Sequence, residues 1–225
     1  MIKNRILTAL LGVFTVLLLI TFSIGLPIYF RPFYYMQIDS LDLELQTGMT
    51  RDEIIEGYDE VLDFLTVPGK EFGTGNFKHS PEGKSHFEDC KVLFDLNATV
   101  FVISLIGVIT LIILRLRGVY SFARPFGSHF LLTCGVSTLS FFAILGLLCS
   151  IDFDVAFEVF HKIFFPGKEN WLFNPYTDEI IRAMPEEFFM SCAILIASSI
   201  ILISVGFIVF GIIERKKRNK ENETI

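Results

Sequence analysis

Seven residues, SHFEDCK from Ser85 to Lys91, gather a histidine, two acids, a thiol and a lysine just ahead of a long apolar run. On a helix His86 shares a face with Asp89 and Cys90, three and four positions further on. Asp89 can then accept an imidazole N–H and fix its tautomer, as the acid of a catalytic triad does. Cys90 can instead act as a thiolate nucleophile with His86 as its base. A second histidine lies in FDVAFEVFHKIFF, where Phe153, Phe157, His161 and Phe165 recur every four residues, placing His161 in a phenylalanine stripe. Two imidazoles can divide general-base and general-acid work near neutral pH, each worth roughly 10²–10⁴ in rate. The plainer alternative is structural: His86 hydrogen-bonds Asp89 on a helix surface, and His161 fills an aromatic core. His86, Asp89 and His161 also offer a zinc set, but no HExxH or paired CxxC supports one. His79 in a polar loop and His129 at a span edge read as solvated or structural.

The elements that must position these groups belong to a membrane. A chain of 225 residues with 52% hydrophobic content and 25 phenylalanines does not fit an ordinary soluble domain. Four segments without Asp, Glu, Lys or Arg are long enough to span: Ile6 to Phe30, Ala98 to Leu114, Phe130 to Cys149 and Met190 to Ile213. The first is longer than a signal-peptide core of about 7–15 residues and reads as an uncleaved anchor. Basic residues flanking spans stay in the cytoplasm. Lys3, Arg5, Arg115, Arg117, Arg124, Arg215, Lys216, Lys217, Arg218 and Lys220 face only Glu214, Glu221 and Glu223, so both termini are expected inside. The expected division is 1–30 for the N-terminal end and first span, 31–96 for an extracytoplasmic cap, 97–117 for the second span and 118–127 for an inner loop. Then come 128–150 for the third span, 151–188 for an aromatic outer segment, 189–213 for the fourth span and 214–225 for a basic tail. The two outer segments are acidic, which argues against a nucleic-acid partner, while the basic tail suits anionic membrane lipid. Spans almost free of ionisable groups argue against ion-coupled transport.

The cap is predicted to mix strand and helix. In SLDLELQTG, Leu41, Leu43 and Leu45 alternate with polar residues, the period of a half-buried strand. In TRDEIIEGYDEVLDFL, Thr50 and Glu53 have capping-box spacing and Ile54, Tyr58, Val61, Leu62 and Leu65 form one apolar face, which predicts an amphipathic helix. A glycine-rich loop follows, with a small hairpin near Phe72 and Phe77. Ser80 and Pro81 then start a helix that carries SHFEDCK into the second span. The outer segment 151–188 is expected to supply an interfacial helix, a turn at NWLFNP and a short helix leading to the last span. The fold class is thus α-helical membrane protein, with four transmembrane helices and a small mixed α/β extracytoplasmic cap.

Three stretches resemble the lipoprotein intramolecular transacylase family, Lit, of Gram-positive bacteria: LQTGMTRDEIIEGYDEVLDFL, SPEGKSHFEDCKVLF and VFHKIFFPGKENWLFNPYTDEIIRAMPEEFF. The last carries His161, Phe164, Phe165, Trp171, Phe173, Asp178, Pro185 and Phe188 together. One departure is Cys90, where a small aliphatic residue is expected. The resemblance implies two catalytic histidines, His86 and His161, in a multi-pass protein of the cell membrane whose active site faces outward. It implies a diacylated lipoprotein substrate, and transfer of one acyl chain from the glyceryl sn-2 oxygen to the α-amine of its N-terminal cysteine. One histidine would deprotonate the amine while the other stabilises the oxyanion and protonates the leaving oxygen. His86 is favoured as base because Asp89 can support it, with the reverse assignment also open. Phe164, Phe165, Trp171, Phe173 and Phe188 would form a water-excluding substrate wall. No metal or cofactor is called for. A non-catalytic receptor or assembly factor and a cysteine-dependent acyltransferase are the competing expectations.

Overall fold

Among the described residues of the computed structural model, four helices are long and apolar enough to cross a membrane: α1 (Ile2–Tyr29), α5 (Pro81–Leu116), α6 (Phe130–Ile151) and α9 (Glu186–Glu223). The structure describes residues 2–124 and 129–223. The expected inner loop at 118–127 therefore runs past Arg124 into residues outside those described, as do residue 128 and the last two residues of the tail. Between the long helices lie α2 (Pro32–Tyr35), α3 (Leu43–Thr47), α4 (Arg51–Thr66), α7 (Phe153–Phe164) and α8 (Ile180–Ala183). The described residues form two compact units.

One unit is built from the chain up to Ile24, Thr99–Leu148 and the chain from Ile196 onward. Its buried centre is Leu11, Leu111, Phe130 and Cys134. Lipid tails are as apolar as leucine, so helix association here depends on close packing, and small residues permit it. A Cβ added at Gly135 would lie 2.7 Å from the backbone oxygen of Ser204, and one at Gly211 would lie 2.5 Å from the Leu132 Cβ. These glycines let α6 and α9 approach backbone to backbone.

The other unit comprises Gly25–Ala98 and Cys149–Leu195 and holds every candidate site residue. Its centre is α4. Thr50 Oγ1 accepts from Glu53 N while a Glu53 carboxylate oxygen accepts from Thr50 N at 2.9 Å, closing the predicted capping box. Ile54, Tyr58, Val61, Leu62 and Leu65 are buried along one face, as the period requires. Tyr58 stacks on Tyr34 with ring centroids 3.7 Å apart, and Tyr34 OH donates to Ala183 O at 2.7 Å, joining α2 to α8. Arg31 pairs with Asp59 and Asp63 of α4.

The expected α/β cap is corrected: no strand occurs among the described residues. The alternating leucines do not share a face, since Leu43 is fully buried and Leu45 is 85% exposed. Asp42 turns the chain at φ 48° and Gly48 ends α3 at φ 71°, both in the left-handed region, so LELQT closes into one helical turn and a half between them. Lacking a neighbouring strand, the segment satisfies its backbone internally and packs Leu43 into the core. The hairpin expected near Phe72 and Phe77 is a loop. Each phenylalanine instead inserts separately, Phe72 against Phe64 at 5.3 Å and Phe77 over Gly57.

Two hydrogen-bond sets fix the segments that carry the histidines. Ser80 Oγ accepts from Gly83 N at 2.9 Å as the N-cap of α5. The buried Asp178 carboxylate accepts from Ser80 N and Ser80 Oγ, both at 2.8 Å, and from Thr177 Oγ1 at 2.9 Å. At the start of α7, Asp152 accepts from Val155 N at 3.1 Å as its N-cap.

Candidate active site

His86 lies on the polar first turns of α5, ahead of the apolar run that starts at Ala98, and His161 lies near the end of α7. Their ring centroids are 5.7 Å apart. Both are buried, at 6% and 7% exposure, which is low for a group that ordinarily titrates near neutrality. Phe165 and Phe173 meet the His86 ring edge-on at 4.9 and 5.4 Å. Trp171 stacks on His161 at 4.8 Å, and Phe157 and Phe165 lie at 4.3 and 5.8 Å from the same ring. The residues meet because Pro166 and Gly167 stop α7 and reverse the chain, Gly167 at φ 74°.

The hydrogen bonds assign protons. His161 Nδ1 is 2.7 Å from Phe157 O. A carbonyl only accepts, so Nδ1 carries the hydrogen and Nε2 keeps a lone pair. Burial lowers the pKa of His161 below the usual value, against the opposing bond to Phe157, so the ring is neutral at pH 7. His86 is pushed down to about 4, first by burial and then by His161. Its Nε2 faces Cys90 Sγ at 3.4 Å, and its Nδ1 is buried without a partner. A buried polar atom left unpaired costs about 1–3 kcal/mol, a cost that folding alone does not explain.

Asp89 does not hold His86. Its carboxylate accepts from Lys168 Nζ and, at 2.9 Å, from Asn170 Nδ2. Burial opposes its ionisation, but Lys168 and Asn170 outweigh this and keep it below the ordinary carboxylate range. Asn170 Nδ2 also reaches Ser85 Oγ at 3.4 Å, and Trp171 Nε1 donates to Lys168 O at 2.9 Å. Asp89 thus ties the loop after α7 to α5 and seats Trp171 over His161.

Of the expected wall, Phe165, Trp171 and Phe173 touch a histidine. Phe164 does not: it is 49% exposed and packs on Phe160. Phe188 is buried against Tyr34 at 5.1 Å and Tyr58 at 6.1 Å, in the core of the unit. The histidines and Asp89 do not form a metal-ligand group, and among the described residues no other three His, Cys, Asp or Glu side chains do. Lys168 and Asn170 were missed in the sequence because nothing in their spacing links them to residue 89. The Phe157 carbonyl lies four positions before His161 on one helix face, a spacing that the sequence already showed.

The thiol is a poor nucleophile here. Burial pushes Cys90 up to about 12, with the Asp89 charge adding to it, so it stays protonated at neutral pH. Cys90→Ala is expected to retain acyl transfer within roughly tenfold of wild type and to yield no trapped acyl-thioester, checked by product analysis and intact-protein mass spectrometry. Complete loss of transfer would revive the cysteine-dependent reading.

Comparison with known proteins gives a consistent likeness. The family described as "Lipoprotein intramolecular transacylase Lit" matches residues 9–189. The solved structure of the membrane-integral lipoprotein intramolecular transacylase Lit from Bacillus cereus is 26% identical, covers 98% of each chain and superposes with a TM-score of 0.84. The same enzyme with one histidine changed to alanine superposes with a TM-score of 0.78 at 26% identity, over 97% of this chain and 96% of that one. An uncharacterized protein of Aquifex aeolicus (strain VF5) is 29% identical over 132 residues, 58% of this chain; the chain spans 55% of that relative's length. With its four apolar helices and this likeness to a membrane-integral enzyme, the chain is a multi-pass membrane protein.

Proposed function

Because the chain belongs to the lipoprotein intramolecular transacylase family, we propose that it moves one acyl chain from the glyceryl sn-2 oxygen of a diacylated lipoprotein to the α-amine of the same molecule's N-terminal cysteine, leaving the lyso form. The observation that carries this reading is the pair of buried neutral imidazoles, 5.7 Å apart behind an aromatic wall. An amine must lose a proton as it attacks the ester, and the departing glyceryl oxygen must gain one. His161, with Nδ1–H held by Phe157 and Nε2 free, suits the base. His86, whose Nδ1 is buried without a partner, suits the group that donates a hydrogen bond to the oxyanion, while the imidazolium formed on His161 gives the amine's proton to the departing sn-2 oxygen. The N–C bond forms, the C–O bond breaks, and one proton passes in net from nitrogen to oxygen, so no metal or cofactor is called for.

The bond-forming path closes a medium-sized ring through nitrogen, Cα, Cβ, sulfur, two glyceryl carbons, the ester oxygen and the carbonyl carbon. Such a ring forms poorly in a flexible chain, so holding the substrate in position supplies a large part of the rate. Phe165, Trp171 and Phe173 exclude water around the reacting centre and favour transfer over hydrolysis. Phe164, exposed and apolar, suits contact with an acyl chain or lipid, whereas Phe188 supports the site from the core. The flanking cations support a reading in which both termini are cytoplasmic, the basic tail meets anionic lipid and the histidines face outward.

Expression in a bacterium that lacks N-acylation, followed by mass spectrometry of a reporter lipoprotein's N-terminal peptide, tests the reading. The expected product carries one acyl chain on nitrogen and one on glycerol. A reporter that keeps both chains on glycerol contradicts the proposal and favours a non-catalytic receptor.

A further inference from the structure

The Asp89 cluster contains more than a latch needs. A carboxylate only accepts, so the bond to Asp89 fixes the amide of Asn170 with Nδ2 inward. Asn170 Oδ1 is therefore an acceptor, and it is buried with no partner. The neighbouring residue Trp171 stacks on His161, and Asp89, to which Asn170 is bonded, follows His86 by one turn of α5, so Asn170 is flanked by residues that frame the histidine site. The Asp89 charge is met by an ammonium from the protein itself, Lys168 Nζ, on a side chain 48% exposed and so free to leave. The acyl acceptor is also an ammonium on arrival, since an α-amine titrates at about 7.7–8.0. It carries a positive charge and three donors where the protein offers a negative charge and an unused acceptor.

We infer that Asp89 and Asn170 Oδ1 form the subsite for the α-ammonium of the substrate's N-terminal cysteine, and that Lys168 is a placeholder which the substrate displaces. This rests on the transacylase reading above. Lys168 keeps the carboxylate paired while the site is empty and withdraws toward solvent when the substrate's own cation arrives. Recognition of the free amine then precedes chemistry, for which the bound ammonium first releases one proton to solvent to expose its lone pair, and a lipoprotein already acylated on nitrogen, with neither charge nor three donors, is rejected.

The test uses purified full-length protein in detergent, a synthetic diacylglyceryl lipopeptide as substrate, and two unreactive diether lipopeptides as inhibitors, one with the α-amine and one without. Wild type is expected to bind the amine-bearing diether roughly 10–100-fold more tightly, the factor typical of a charge-assisted hydrogen bond. Asp89→Asn should erase that preference and raise KM by a similar factor. Lys168→Met should lower KM severalfold, because it removes the competitor. A latch with no binding role predicts the opposite pattern: both variants loosen the loop and impair kcat in parallel. Equal binding of the two diethers to wild type overturns the inference without any variant. Wild type that transfers no acyl chain overturns the transacylase reading itself, whereas transfer with no amine preference overturns only the subsite.

Discussion

His161→Asn is expected to lower the rate of acyl transfer roughly 10²–10⁴-fold, the usual worth of a general base. Asparagine can still donate to the Phe157 carbonyl that Nδ1–H now occupies at 2.7 Å, so the end of α7 keeps its bond while the lone pair of Nε2 is lost. The loss should appear in kcat at saturating substrate, because the residue acts on the proton and not on the acyl chains. The pH profile supplies the control. The neutral imidazole is the active form and burial lowers its pKa, so wild type should lose this group's contribution only on acidification below the ordinary histidine range. The variant should show no such limb. A His161→Asn protein with wild-type kcat would remove His161 from the mechanism.

His86→Phe should separate activity from stability. Transfer is expected to fall roughly 10²–10³-fold, as when an oxyanion donor is removed. The ring site is bounded by Phe165 and Phe173, and the substitution deletes a buried nitrogen that has no partner, so the folded protein should be at least as stable near neutral pH. The gain should widen on acidification. The folded-state pKa of His86 is lowered from 6.5 to about 4, so in that window the unfolded chain binds a proton that the folded chain refuses. Wild-type stability from this group is therefore complete above pH 6.5 and lost as pH falls toward 4, and His86→Phe should lack that loss. Thermal unfolding in detergent between those pH values reads the difference. A variant that unfolds at neutral pH would make His86 a structural residue.

Much of this architecture is local and so was readable. Charge-free runs declare the spans, and the Thr50–Glu53 box with its apolar face declares α4, because helix caps and periodicity act within a few residues. Ser80 and Pro81 likewise mark the start of the helix that carries His86. What was not readable depends on distant partners. Leu41, Leu43 and Leu45 alternate like a strand, but a strand needs a neighbour to pair with, and left-handed turns at Asp42 and Gly48 settle the segment as α3. Asp89 lies at helical spacing from His86, yet Lys168 and Asn170, 79 and 81 positions away, take its carboxylate. That pairing bonds Asp89 away from His86, while the Phe157 carbonyl meets His161 Nδ1, and on these contacts the proposal of His161 as base rests. Phe188 falls in the family-like stretch with the aromatic wall, but packs on Tyr34 and Tyr58 instead.

The central claim is that two histidines pass an acyl chain within one lipoprotein molecule. A crossover measurement tests it most directly: purified protein is given an equal mixture of two synthetic lipopeptides, one isotopically labelled in its peptide and the other in its sn-2 acyl chain. The account predicts N-acylated products in which each peptide carries only its own acyl chain, and no such product from the His86→Phe, His161→Asn double variant. Labelled acyl chains on labelled peptides, or free fatty acid as the main product, would contradict it.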